Sequence, residues 1–279
     1  MKGMIFDIQR SSFVDGDGVR TTVFFKGCNL KCKWCHNPES ISKSIQKLFY
    51  KGKCTSCGKC QDVCPSNQKN CTLCGKCTLY CPNDAIEICG MEYTVNELFD
   101  EIIRDKNYYD ASNGGVTFSG GECMLQIDVL SEILKLCKQA CINTAVDTAG
   151  NVPYEYFEKI IPYTDTFLYD IKCITESLHK EYTGVSNNQI LSNLKRLSNS
   201  FKGKLVVRIP LIGGFNDTDS EIIKIRDLLS SLKISNVEIL PYHKMGMHKY
   251  EALNMEYAEF ETISQEKIDY YNQILNKKI

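Results

Sequence analysis

The sequence predicts an α/β fold built on a parallel sheet, and three observations carry that expectation. Short apolar or β-branched runs alternate with helical periodicity, polar or metal-binding residues stand at the C-terminal end of almost every run, and a cysteine-dense segment interrupts the pattern near its start. The strand candidates are RTTVFFKG before Cys28, GVTFSG from Gly115, INTAVDT from Ile142, TFLYDIK from Thr166, KLVVRIP from Lys204 and NVEILPY from Asn236. Helical periodicity marks TVNELFDEIIRDK from Thr94, DVLSEILKLCKQAC from Asp128, NQILSNLKRLS from Asn188 and SEIIKIRDLLSSL from Ser220, with a terminal helix from about Ser264 to Asn276. Strands separated by helices imply right-handed crossovers and a parallel sheet, open or curled toward a barrel. Periodicity alone leaves that choice open.

Residues 47–89 are dense in Cys, Gly, Lys and Asn and lack sustained apolar periodicity. They read as an insertion folded around metals, with residues 1–46 and 90–279 forming the surrounding domain. A chain of 279 residues with 43% hydrophobic composition can bury a substantial core. Its 33 basic and 34 acidic residues give a net charge of -1, so nothing electrostatic calls for nucleic acid or an anionic membrane. The opening MKGMIFDIQR has no long apolar run or cleavage site, and no stretch of about 18 uninterrupted apolar residues occurs, which predicts a cytoplasmic location.

Of sixteen cysteines, twelve lie between Cys28 and Cys89. A disulfide framework suits short secreted chains, whereas clustered C-x2-C spacing in a cytosolic chain favours metal. CTSCGKCQDVCP and CTLCGKCTLYCP each follow C-x2-C-x2-C-x3-C-P, the bacterial two-cluster ferredoxin spacing in which the fourth cysteine ligates the other cluster. One 4Fe-4S cluster is therefore expected on Cys54, Cys57, Cys60 and Cys81, and another on Cys71, Cys74, Cys77 and Cys64. Zinc competes for paired C-x2-C motifs, but doubled three-plus-one spacing followed by Pro65 and Pro82 suits two four-cysteine zinc sites poorly. GCNLKCKWCHNPE differs. Cys28, Cys32 and Cys35, spaced C-x3-C-x2-C, have no fourth cysteine at a comparable distance and can hold three irons of a cubane, leaving the fourth open.

At the strand ends stand Cys28, then Gly120, Gly121 and Glu122, then Asp147, Asp170 with Lys172, Arg208 and His243. In parallel α/β folds strand ends and their loops converge on this rim, so one site is expected to gather them. Among the other cysteines, Cys137 and Cys141 fall four apart on an apolar helix face and read as core, Cys123 and Cys173 could line the site, and Cys89 ends the insertion. His179 and His248 read as surface residues. DGDG at Asp15 to Gly18 imitates part of a calcium loop but lacks the remaining oxygen ligands and terminal Glu.

The three-cysteine spacing after the first strand, with Trp34 before its last cysteine, resembles the radical S-adenosylmethionine superfamily, in which that cofactor chelates the open iron. DGDGVRTTVFFKGCNLKCKWCHNPES, followed in order by SGGE, DTAG, DIK and LPYH, is similar to the activating enzymes of glycyl radical enzymes, in the subgroup with a two-cluster insert. The resemblance spans nearly the whole chain. It implies a partial (β/α)6 TIM-like barrel with an inserted bacterial-ferredoxin-like 4Fe-4S domain, three 4Fe-4S clusters in all, and S-adenosylmethionine as co-substrate.

It further implies that Trp34, Gly120, Gly121, Glu122, Asp147, Asp170, Lys172, Arg208 and His243 bind S-adenosylmethionine. The glycines allow backbone approach and the Glu122 carboxylate accepts from the methionyl ammonium. A monovalent cation such as Na⁺ or K⁺ is implied at Asp147, Thr148 and Asp170, where two acidic groups face a carboxylate. Asp15 and His36 are implied to position the protein substrate. The implied activity is reductive cleavage of S-adenosylmethionine and hydrogen abstraction from a glycine α carbon of a glycyl radical enzyme, with reduced flavodoxin or ferredoxin as donor and the chain as a monomer. The alternatives are a radical enzyme acting on a small molecule or another peptide residue, an electron-transfer protein built on the insert, and a zinc-binding interaction module.

Overall fold

A computed structural model describes residues 1–66 and 69–276, so residues 67, 68 and 277–279 of the two expected domains lie outside it. The chain opens with β1 (Lys2–Ser12) and β2 (Arg20–Phe25), passes a one-turn helix at Pro38–Ser40, and forms β3 (Gln46–Phe49). The short helices α1 (Lys59–Asp62) and α2 (Lys76–Leu79) precede β4 (Ile86–Cys89) and β5 (Met91–Thr94). Next come α3 (Val95–Ile103), α4 (Lys106–Ser112), β6 (Gly115–Gly120), α5 (Ile127–Gln139), β7 (Asn143–Thr148), α6 (Tyr154–Ile160) and β8 (Thr166–Asp170). The remainder is α7 (Glu176–Thr183), α8 (Asn188–Ser200), β9 (Lys204–Leu211), α9 (Asp219–Ser231), β10 (Val237–Pro241), α10 (Met247–Ala252) and α11 (Gln265–Asn276).

All six expected strands form, and they pair in parallel in the order β10-β9-β8-β7-β6-β2. β1 pairs antiparallel with β2, and β5 antiparallel with β1. β10 and β5 are the two edges of this eight-stranded sheet, so the barrel is partial. β2 and β6 are buried along almost their whole length, as parallel strands covered on both faces must be. β3 and β4 form a separate two-stranded antiparallel ladder at either end of the cysteine-dense segment.

The sequence reading misses β1, which lies between β2 and the edge strand β5, and β5 itself, because both have mixed exposure that dilutes their apolar content. It also misses α4, α6, α7 and α10, of six to eight residues each, about two turns at most and too short for an apolar repeat to stand out. Two side chains contradict expectation. His179 is 1% exposed, with Nδ1 against Val185 O at 2.8 Å and Thr183 Oγ1 at 3.0 Å, because α7 turns its polar ring toward its own C-terminal cap. Cys137 is core, but Cys141 is exposed at φ 55° beyond the end of α5, so the two do not share a helix face.

The DGDG loop spans the lower ends of the strands. Arg20, 1% exposed, donates to Thr117 Oγ1 (2.7 Å), Val116 O (2.7 Å), Asn143 Oδ1 (3.1 Å) and Asp17 O (3.2 Å), joining β2, β6 and β7. Asp17 pairs with Lys204 of β9 at 2.7 Å, and Asp15 Oδ2 accepts from Ser12 Oγ (2.6 Å) and Thr22 Oγ1 (2.7 Å). The two aspartates thus serve different partners. Gly18, at φ +71°, lies so near Gly114 that a Cβ would stand 2.5 Å from its nitrogen.

Replacing Arg20 with Met strands several buried acceptors, and we expect it to destabilise the fold by about 3 kcal/mol or more. Thr94→Ala removes the capping box that Thr94 and Glu97 form at the start of α3 and should cost about 1 kcal/mol. Urea midpoints of the two variants against wild type check both values; equal shifts would contradict the role given to Arg20.

Candidate active site

The six parallel strands deliver their C-terminal residues to one cleft of about 480 Å³. Its walls include Cys28, Cys32, Trp34, Cys35, His36, Gly120, Gly121, Asp147, Thr148, Asp170, Lys172, Arg208 and His243, and Asp15 reaches it from the DGDG loop. The register of β8 on β9 sets Asp170 beside Arg208. Arg208 Nη2 stands 3.6 Å from Asp147 Oδ2 and its Nε 3.7 Å from Asp170 Oδ1, while Lys172 Nζ donates to Asp170 Oδ2 at 2.9 Å. Ser119 Oγ donates to Asp147 Oδ2 at 2.6 Å.

Burial opposes the charged Arg208 and Lys172, but Asp147 and Asp170 around the first and Asp170 beside the second hold both cations above their ordinary ranges. Burial pushes the Asp147 carboxyl up against the pull of Arg208. Two cations and two carboxylates leave the cluster balanced in charge, but not in hydrogen bonds. Arg208 Nε and Nη1, Asp170 Oδ1 and His36 Nε2 are buried without a hydrogen-bond partner among the described residues. Groups of that kind await an occupant with both acceptors and donors, and an amino acid's carboxylate and ammonium meet that demand. Gly121 is required by close backbone packing in the wall, since a Cβ there would stand 2.3 Å from Gly27 O.

As bare thiols, Cys28 and Cys35 are pushed up to about 12 by burial, and Cys32 is raised by the same cause. Trp34, 7% exposed, packs on Phe215 with ring centroids 4.6 Å apart and on Phe260 at 6.2 Å. His36 stacks on His243 at 4.0 Å, and burial together with that neighbour lowers it to about 4, so the ring is neutral near pH 7.

The insert cysteines gather in two crossed sets. Cys54, Cys57, Cys60 and Cys81 line a cavity of about 340 Å³, and Cys64, Cys71, Cys74 and Cys77 line a tighter one. Each set takes three cysteines from one motif and the fourth from the other. Gly58 and Gly75, both left-handed at φ 77° and 74°, turn the two motifs into α1 and α2 at equivalent positions. The cysteines surround cavities rather than points; no three His, Cys, Asp or Glu side chains among the described residues close on a single metal ion. None of the sixteen cysteines is joined in a disulfide.

Glu122 departs from expectation. It is fully buried behind the cleft, where its carboxylate accepts from Thr148 Oγ1 (2.9 Å), Ala149 N (3.0 Å) and Met124 N (3.2 Å). With its oxygens so engaged, it braces the loops after β6 and β7 instead of meeting an ammonium directly. Thr148 likewise spends its hydroxyl on Glu122. Cys123 and Cys173 are buried outside the cleft lining, bonding Phe118 O and Thr175 O, each at 3.5 Å. The sequence reading missed Ser119 and the apolar wall of Pro210, Ile212, Leu240 and Tyr242. Their position at strand ends was the only available signal.

Residues 14–192 match the family model described as a 4Fe-4S single cluster domain. The chain is 43% identical over 286 residues to the trans-4-hydroxy-L-proline dehydratase activating enzyme of Clostridioides difficile, covering 96% of this chain and 94% of that one. It is 39% identical to the choline trimethylamine-lyase activating enzyme of Oleidesulfovibrio alaskensis, with 92% of this chain and 88% of the relative covered. Among solved structures, a domain of pyruvate-formate lyase-activating enzyme from Bacteroides vulgatus superposes with a TM-score of 0.50 at 32% identity, covering 58% of this chain and 92% of that one.

Burial raises the Glu122 carboxyl from 4.5 to about 7 against the opposing hydrogen bonds. The folded state therefore binds a proton more tightly than the unfolded one, and this group's contribution is fully present below pH 4.5 and lost as pH rises to about 7. Subtracting the stability of Glu122→Gln from that of wild type across this range should give a difference that falls with pH; a flat difference would refute the raised value.

Proposed function

The chain belongs to the activating enzymes of glycyl radical enzymes, and on that premise we propose which of its residues carry the reaction. It is a radical S-adenosylmethionine oxidoreductase, and its substrate is a partner glycyl radical enzyme. When bound, a 4Fe-4S cluster would supply the electron for reductive cleavage of S-adenosylmethionine, the chemistry by which such an enzyme takes hydrogen from a glycine α carbon of its partner.

Cys28, Cys32 and Cys35 would hold the radical cluster through three irons. The observation that carries this reading is that all three line the same cleft as the unsatisfied nitrogens of Arg208 and the unsatisfied oxygen of Asp170. In this reading Arg208 and Lys172 receive the methionyl carboxylate, and Asp170 and the backbone at Gly120 and Gly121 receive the ammonium. Trp34 and His243 line the same cleft and would contact the rest of the cofactor. Its walls keep water and oxygen from a radical, the protein's main task where a cofactor does the hard chemistry. Asp15 and His36, at its floor and rim, would position the partner's glycine loop. A monovalent cation such as Na⁺ or K⁺ at Asp147, Thr148 and Asp170 would compete with Arg208 and Lys172, which already balance both carboxylates, and with Glu122 for the Thr148 hydroxyl.

Two further 4Fe-4S clusters would occupy the crossed cysteine sets, making residues 47–89 a ferredoxin-like insert within the barrel of 1–46 and 90–279. Reduced flavodoxin or ferredoxin would donate the electron to a monomeric, cytoplasmic enzyme. No helix among the described residues is long and apolar enough to cross a membrane.

Anaerobic reconstitution with iron and sulfide, followed by S-adenosylmethionine and a strong reductant, should yield 5'-deoxyadenosine and about twelve irons per chain, four for each of three cubanes. Replacing Cys28, Cys32 and Cys35 with Ala should abolish that product while retaining about eight irons. Cleavage that survives the triple replacement would refute the assigned radical cluster, and full iron without cleavage would favour the electron-transfer reading.

A further inference from the structure

Behind the cleft wall, a largely buried polar cluster grips the segment that follows Cys35, of which Asn37 and Ser40 also line the cleft. Glu39, 5% exposed, lies on the short helix at Pro38–Ser40, and Lys249 of α10 donates to its Oε1 at 2.6 Å and to Asn37 Oδ1 at 2.8 Å. From the opposite side Lys26, fully buried at the end of β2, donates to the backbone carbonyl of Glu39 and to Gln46 Oε1 at 3.0 Å. Tyr250, the neighbour of Lys249, is 7% exposed and donates its hydroxyl to Cys35 O at 2.9 Å.

Nothing in the cleft chemistry uses these donors, and setting one fully buried and one part-buried ammonium around a single buried carboxylate is an unfavourable way merely to hold a loop. Apolar packing would suffice for that, and α10 already has it through Ala252 against Leu48 and Cys89. The polar contacts instead converge on five residues that begin with a cysteine of the cleft. Hydrogen bonds and charges just outside a metal's ligands orient those ligands and tune the metal. We propose that Lys249 and Tyr250 are positioning residues for the radical cluster, with Lys249 acting through Glu39 and Asn37 and Tyr250 through the carbonyl of Cys35. The proposal rests on Cys35 being a ligand of that cluster.

The test uses the full chain, reconstituted anaerobically, as wild type, Tyr250→Phe, Lys249→Met and Lys249→Arg. Iron per chain, EPR of the reduced protein with and without S-adenosylmethionine, the midpoint potential of the signal that responds to it, and 5'-deoxyadenosine formation are measured. Tyr250→Phe and Lys249→Met should keep about twelve irons, alter the responsive signal but not the others, and slow product formation roughly tenfold or more. Lys249→Met should also lower the potential, and Lys249→Arg should restore signal, potential and rate. Wild-type spectra, potentials and rates in both Tyr250→Phe and Lys249→Met would overturn the proposal, as would slowed product formation with an unchanged responsive signal. If Lys249→Met fails to fold, Tyr250→Phe decides, since it deletes one hydroxyl. A wild type with no responsive signal would refute the assignment of Cys35 itself, a failure that the three variants do not mimic.

Discussion

Arg208, held inside the barrel between Asp147 and Asp170, is the constraint around which the site is organised. A guanidinium in an apolar interior is tolerable only beside carboxylates, and carboxylates at such depth are tolerable only beside cations. Lys172 completes the balance from the loop after β8. Neutral overall but short of hydrogen bonds, this quartet leaves Asp170 Oδ1 and two Arg208 nitrogens for whatever enters the cleft. The parallel register from β7 to β9 makes the quartet possible, because a slip of one residue would turn each charged side chain to the opposite face.

The same economy of polar groups governs the barrel's lower end. Arg20 satisfies acceptors on β6 and β7, and Asp17 reaches Lys204 on β9, so a loop between antiparallel strands ties parallel strands that no ladder closes into a ring. Asp15 is then carried to the floor of the cleft with its carboxylate already bonded to Ser12 and Thr22. An aspartate fixed in this way keeps one geometry, so any contact it makes in the cleft carries little further entropic cost.

Much of the fold was legible in the sequence because parallel strands are buried on both faces and read as short runs rich in apolar, aromatic and β-branched residues, as GVTFSG and TFLYDIK do. The longer helices α5, α8 and α9 were legible for the matching reason, a 3.6-residue apolar rhythm sustained over thirteen residues. β1, β5 and the short helices were not, since half-exposed strands and helices of about two turns carry little periodic signal. His179 was misplaced on the general tendency of histidine to be exposed, which its hydrogen bonds to Thr183 and Val185 override.

By itself the sequence determined the chemistry available. Cysteine spacing within a dozen residues is a local property, so the three-cysteine motif and the two crossed motifs could be read directly, and the strand-end positions of Asp147, Asp170 and Arg208 followed from alternation. Only the tertiary structure decided which polar groups are free to act. Glu122 sits in a motif that looks ligand-facing, yet its oxygens are taken by Thr148 and by backbone from two loops. Lys249 and Tyr250 carried no motif, yet they meet Asn37, Glu39 and Cys35 across more than two hundred residues of chain. Hydrogen-bond partnership over such separations depends on how β2, β10 and α10 pack in space, and one-dimensional spacing holds no record of it.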